Sequence, residues 1–182
     1  MKTTKTGENK RSLVATILIP ALIIAVIAGI WIVRNNTKET TGDAINEDIQ
    51  FALNVTETID LEELKSYGLP ILIDFGADSC IPCKEMVPVL KELNEELQGK
   101  AIILFVDVWK NQSLADGYPI SLIPTQVLIT SDGLPYTPSG SLSSGIQMYS
   151  SKDTGDHVFT THEGGLDKET MLAILKEMGM KE

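Results

Sequence analysis

Two cysteines are all that the 182-residue chain contains, and both fall in a single C-x-x-C, Cys80 and Cys83. That scarcity excludes a framework of stabilising disulfides, even for a domain with access to oxidising conditions. No cysteine directly follows the apolar N-terminal block, so a lipid-modified N-terminal cysteine is excluded. Lys84, not histidine, follows the second cysteine, which excludes covalent attachment of a c-type haem. There is no G-x-G-x-x-G and no P-loop, hence no nucleotide cofactor site, and no internal repeat. Positive charge is scarce too. Fifteen basic residues face 25 acidic ones for a formal charge of −10, and no basic patch interleaved with aromatics offers itself to nucleic acid.

Charge is also missing from one long stretch. Leu13 to Val33 runs for 21 residues without a charged side chain. As a helix it would measure about 32 Å, enough to cross a hydrocarbon core of about 30 Å. Pro20 inside it is tolerable in a bilayer, and Trp31 suits an interface. Lys2, Lys5, Lys10 and Arg11 precede the block, so the positive-inside rule predicts a cytoplasmic N-terminus, 1–12, and a single transmembrane helix, 13–33. The alternative is a cleaved signal peptide with Val26-Ile27-Ala28 as a poor cleavage site, which the length of the apolar run disfavours. Both readings export the rest of the chain and predict a cell-membrane, extracytoplasmic location. Residues 1–33 hold four of the basic residues and one of the acidic ones, so the exported part is more acidic than the whole.

Residues 34–48 are polar and read as a linker, and a folded domain is expected over 49–182. Ile49–Val55 is apolar enough for a first strand, and Asp60, with Glu63 three residues on, opens a short helix closed by Gly68. Pro70–Gly76 and Ala101–Val108 are short apolar runs, the pattern of strands buried on both faces. Between them, Met86, Val89, Leu90, Leu93 and Leu97 recur at helical spacing from Ile81 onward, up to Gly99. Gln112–Asp116 suggests a short helix, Thr125–Thr130 and Val158–Glu163 two further strands, and Asp167–Met178 a closing amphipathic helix. The order predicts an α/β fold, a mixed sheet with helices on both faces. Residues 134–156, rich in Ser, Gly and Pro, read as an inserted loop. Its apolar residues Tyr136, Leu142, Ile146, Met148 and Tyr149 make a docking flap one reading and a tolerated surface insertion the other.

The helix that starts at the cysteines decides the chemistry. Its unpaired N–H groups and dipole favour the thiolate at Cys80, making it the attacking sulfur, while Cys83, one turn in, is placed to resolve a mixed disulfide. Around this pair stand Asp74 on the preceding strand, Pro82 within Cys80-Ile81-Pro82-Cys83, Lys84, the helix proline Pro88 and, further on, Ile123-Pro124-Thr125. In order and register these residues resemble the thioredoxin family, over about residues 49–180. The resemblance implies a thioredoxin-like fold and a thiol–disulfide oxidoreductase whose only redox centre is the Cys80–Cys83 disulfide, with no bound cofactor and no metal. It further implies that Asp74 exchanges protons with Cys83 from a buried strand, and that Pro124, if cis, sets Ile123, Pro124 and Thr125 beside Ile81 and Pro82 as the substrate-binding surface.

Departures from the family pattern carry expectations of their own. Ser79 and Gly76 stand where aromatics are frequent, and Phe105 stands where a lysine commonly accompanies the buried Asp. Asp74 is therefore expected to lack a close cation and to titrate unusually high. A zinc site from Cys80, Cys83, His157 and His162 is disfavoured, because more than seventy residues separate the pairs, against about a dozen in compact fingers. A non-catalytic thioredoxin-like binding module and a disulfide-forming oxidase remain alternatives. Ile81-Pro82 and Ile123 lean towards a reductant of exported protein disulfides, fed by an integral-membrane thiol donor.

Overall fold

The computed structural model describes residues 50–140 and 144–181. The apolar span 13–33, its cytoplasmic flank 1–12 and the linker 34–48 lie outside the described residues, as do Ile49 and Leu142. Among the described residues no helix is long and apolar enough to cross a membrane.

Helix α1 spans Leu61–Ser66, and Asp60 caps it by accepting the N–H of Glu63 at 3.0 Å. Strand β1 (Ile71–Gly76) leads into α2 (Ile81–Glu96), which Cys80 caps without a side-chain bond and in which Pro82 occupies the first turn, where no N–H is needed. Strand β2 (Ile102–Asp107), a 3₁₀ turn at Gln112–Ala115, β3 (Thr125–Ile129), β4 (Ile146–Ser150), β5 (His157–Glu163) and α3 (Lys168–Glu177) complete the order. The five strands form one mixed sheet in the order β2-β1-β3-β5-β4, with β1 and β2 parallel and the remaining pairs antiparallel.

Every residue of β1 and β2 is buried because helices cover both faces. On one face Leu72, Ile103 and Leu128 pack with Met86, Leu90 and Leu93 of α2 and with Met171, Ile174 and Leu175 of α3. On the other face Ile71, Ile73, Phe75, Ile102, Leu104 and Val127 meet Leu61 and Leu64 of α1 and Leu114, Tyr118 and Ile120 around the 3₁₀ turn. Each fully buried Leu, Ile or Phe side chain contributes about 1.5–3 kcal/mol. The alternation also sorts function: Leu72, Asp74 and Gly76 point to the α2 side, beneath the cysteines.

Two segments differ from their sequence pattern. The stretch through Val55 forms no full strand; one parallel bridge joins Asn54 to Phe105. Two backbone bonds, Val55 N to Phe105 O at 3.0 Å and Phe105 N to Leu53 O at 2.7 Å, flank it, while Phe51 is held by amide side chains of α2 and just beyond it: Phe51 N donates to Gln98 Oε1 at 2.9 Å, and Phe51 O accepts from Asn94 Nδ2 at 2.9 Å and Gln98 Nε2 at 3.0 Å. Residues 134–156, in turn, are no simple insertion. They contain β4, an edge strand in which only Ile146 and Tyr149 are partly buried and which Ser- and Gly-rich flanks disguise in sequence. Tyr136, one of the apolar residues of the docking-flap reading, is a core residue, 1 % exposed. Its N–H donates to Leu128 O at 3.1 Å, and its hydroxyl donates to Glu177 Oε2 at 2.6 Å, the same carboxylate that takes both donors of Ser139.

The clamp between Tyr136 and α3 yields a stability prediction. Tyr136→Phe should cost about 1–1.5 kcal/mol by leaving Glu177 one bond short, and Tyr136→Ala about 3–5 kcal/mol through the cavity it opens. Urea denaturation checks this, with the midpoint falling in that order at constant slope.

Candidate active site

Local structure explains where the two thiols lie. After β1 the chain turns through Ala77, Asp78 and Ser79, with Cys80 N donating to Ala77 O at 3.1 Å. Asp107, at the end of β2, fixes this turn: its carboxylate accepts Asp78 N at 3.1 Å, Trp109 N at 3.0 Å and Lys110 N at 3.1 Å. Burial pushes the Asp107 carboxyl up, but the three backbone N–H groups and Lys110 outweigh it and hold the group below its ordinary range. Lys110 also pairs with Asp78.

Cys80 is half-buried, Cys83 fully buried, and both are free thiols. Burial first, then the hydrogen bond with Cys80, pushes the Cys83 thiol up to about 12, so it holds its proton at neutral pH. Cys80 Sγ lies 3.9 Å from the carbonyl of Ile123, which precedes Pro124 across a cis peptide bond. Thr125 Oγ1 donates to Leu122 O at 2.8 Å and Gly164 N to Pro124 O at 2.9 Å, so both flanks of this loop are tied down. The structure thus brings Ile123, Pro124 and Thr125 to the cysteines. Pro82 and Ile81 lie on the same surface, with Ile81 73 % exposed.

Asp74 lies on β1 and is fully buried. Its Oδ1 accepts Gln126 Nε2 at 2.7 Å, whereas Oδ2 has no partner. Burial raises the carboxyl to about 7, and the bond from Gln126 only moderates the shift. In the parallel register of β1 and β2, Asp74 faces Phe105, the position where a cation would have held it ionised. A Cβ on Gly76 would lie 2.9 Å from Phe105 Cε2 and 3.3 Å from both Asp74 Oδ2 and Cys83 Cβ. The missing side chain at Gly76 therefore leaves one small space that the free carboxylate oxygen and the buried cysteine share.

Sequence reasoning missed Gln126 and Trp109 and weighed His162 only as a disfavoured zinc ligand. Gln126 stood out as the one amide within the buried run Thr125–Ile129, which was a legible signal. His162 Nδ1 lies 2.8 Å from Gln126 Oε1, and His157 Nε2 lies 2.8 Å from Thr160 Oγ1, so the histidines are engaged with these partners and do not join the cysteines as a ligand set. Among the described residues no group of three or more potential metal ligands occurs. Trp109, 64 % exposed, borders with Ile120, Leu122 and Ile123 an open groove of about 550 Å³ beside the cis-proline loop. It supplies an exposed aromatic that Ser79 does not.

Comparison with known proteins places these features in context. The thioredoxin family profile matches residues 53–149. Thioredoxin of Rickettsia felis is 38% identical over 77 residues, 42% of this chain and 73% of that protein. Thioredoxin of Pseudomonas aeruginosa is 35% identical over 92 residues, 50% of this chain and 84% of that protein. Among solved structures, a mutant thioredoxin from Halobacterium salinarum covers 73% of this chain and 95% of its own at 24% identity, with a TM-score of 0.49.

The raised Asp74 carboxyl makes stability pH-dependent. Between the ordinary carboxylate range and about 7 the native state keeps a proton that the unfolded chain has released. Stability is therefore full at low pH and falls as pH rises through that window. Asp74→Asn should exceed the parent by on the order of 4 kcal/mol near pH 8 and match it near pH 3. Denaturant unfolding of the reduced proteins at the two pH values checks the sign.

Proposed function

Because the chain belongs to the thioredoxin family and is a thiol–disulfide oxidoreductase with the pair Cys80 and Cys83, we propose that it reduces disulfides of exported proteins, with Asp74 as the proton acceptor for Cys83. One observation carries the second half. Cys83 is buried and held protonated, and beside it lies a carboxylate oxygen with no other partner on a group poised near neutrality. A base near 7 is the kind that removes a proton efficiently at neutral pH.

The cycle runs in two displacements. The Cys80 thiolate attacks one sulfur of the substrate disulfide; a bond forms between Cys80 and that sulfur, and the other substrate sulfur leaves as thiolate. The proton of Cys83 then passes to Asp74 Oδ2, directly or through one water. The Cys83 thiolate attacks Cys80 Sγ, closes the Cys80–Cys83 disulfide and expels the second substrate sulfur. The substrate gains two electrons and the protein loses them. Ile81, Pro82 and Ile123 form the surface on which an extended substrate chain would lie, with main-chain groups at the loop and apolar contacts on Ile81 and Trp109, while the buried Pro124 and Thr125 shape that loop from beneath.

The exported location rests on the apolar block Leu13–Val33 and the basic residues before it. The direction rests on Ile81-Pro82 and Ile123. A reductant outside the cytoplasm needs a supply of electrons, and an integral-membrane dithiol is the donor class this chemistry accepts.

Three measurements test the reading. Cys80→Ser should lower insulin reduction by roughly a thousandfold or more, while Cys83→Ser should accumulate the mixed disulfide; unchanged turnover in Cys80→Ser would leave only a binding module. A midpoint potential at or below about −230 mV is expected of a reductant, whereas one near −120 mV would make the protein an oxidase. A membrane-impermeant maleimide should label Cys80 in intact cells; labelling only after lysis would place the domain inside.

A further inference from the structure

Gln126 and His162 are buried polar side chains to which the two-thiol cycle gives no task. Gln126 Nε2 lies 2.7 Å from Asp74 Oδ1, 3.2 Å from Gly164 O and 3.8 Å from Met86 Sδ. All three are acceptors, so this end of the amide has to be the nitrogen. Were the amide turned over, its oxygen would face the Gly164 carbonyl with no hydrogen between them, even if Asp74 were protonated. The other end, Oε1, then needs a donor, and His162 Nδ1 at 2.8 Å supplies it. Burial holds His162 below its ordinary imidazole value, so the neutral ring carries its hydrogen on Nδ1.

The residue entering β4, Gly145, packs against this ring. A Cβ at residue 145 would fall 2.5 Å from His162 Nε2, so the ring fits only because Gly145 is there, at φ +76°, a conformation that glycine adopts without strain. Across the sheet, Gln126 and His162 are direct partners in the antiparallel register of β3 and β5.

We infer that Gln126 and His162 are positioning residues: they hold one amide orientation, make Asp74 Oδ1 a permanent acceptor, and leave Oδ2 as the oxygen that exchanges a proton with Cys83. The inference rests on the proton role of Asp74 proposed above. Oδ2 and Cys83 Cβ border the same space over Gly76. The titratable groups about Asp74 are Cys83 from α2 and, beyond Gln126, His162 with its neighbour Glu163 from β5, while β2 presents Phe105. None of them is a lysine or arginine, so hydrogen-bond geometry, not a nearby cation, sets where the proton sits.

The test uses the full-length chain and two readouts: carbon NMR titration of the Asp74 carboxyl in the reduced protein, and stopped-flow release of the second thionitrobenzoate from a chromogenic aromatic disulfide, which reports Cys83 attack. In the parent both should inflect near pH 7. Gln126→Leu should move both inflections up by about one pH unit, a roughly fivefold slower release at pH 7. His162→Leu should move them in the same direction, and His162→Asn, whose amide N–H can replace Nδ1–H, should restore the parent profile. If Gln126→Leu does not fold, as judged by near-UV circular dichroism, the two His162 variants decide the matter alone. Folded Leu variants with parent profiles, beside an Asp74→Asn variant that loses the inflection, would overturn this inference and spare the role of Asp74. An unshifted profile in Asp74→Asn would instead overturn that role and the inference together.

Discussion

A carboxyl group buried without a counter-ion is the constraint around which the rest of the site is arranged. Asp74 sits on β1, the strand flanked on both sides by others, where solvent cannot stabilise its charge, and the one bond to Oδ1 compensates only partly. In the proposed cycle a base near neutrality has a use at this place, which would account for a destabilising group being kept there. Replacing it by an apolar residue would tighten the fold and, in that cycle, remove the proton acceptor, a conflict between stability and activity frequent at catalytic centres.

Around that carboxyl the two faces of the sheet divide the labour. The face under α1 is largely apolar, the buried Thr125 and Thr161 beside Phe75 and Val127 being exceptions, and holds neither thiol. The face under α2 and α3 is apolar towards Leu93 and Ile174 but opens, at the end where β1 meets α2, into Asp74, Gln126, Cys83 and the space over Gly76. Chemistry is thus confined to one corner of one layer. Asp107 and the tied flanks of the Pro124 loop hold that corner from outside the sheet, so both thiols meet their surroundings with little freedom to drift.

The additional antiparallel edge has a place in this economy. β4 lies on the far side of β5 from the cysteines, yet through Gly145 it closes over His162, which meets Gln126, which meets Asp74. A chain of contacts therefore links the sheet edge to the buried acid. Trp109 and Ile81 mark the opposite, exposed side of the site, where a substrate chain would desolvate apolar surface.

Much of this was legible in the residues alone. Periodicity located α2, β1, β2 and α3, because an amphipathic stripe and an all-buried strand each leave a local pattern. The cysteines, Asp74 and Ile123-Pro124-Thr125 announced themselves by type and order, and the absence of a lysine opposite Asp74 followed from counting. What stayed hidden depends on pairing between distant segments. Phe51 takes its bonds from the amides of Asn94 in α2 and Gln98 beyond it and not from a neighbouring strand, Tyr136 turns inward onto Glu177, and β4 is an edge strand with most of its residues exposed. Gln126 and His162 meet only because β3 and β5 lie side by side in one register. Residue types determined which reaction this protein can carry; register across the sheet decided which oxygen of Asp74 is left free to serve it, since no local pattern encodes a contact between strands thirty-six residues apart.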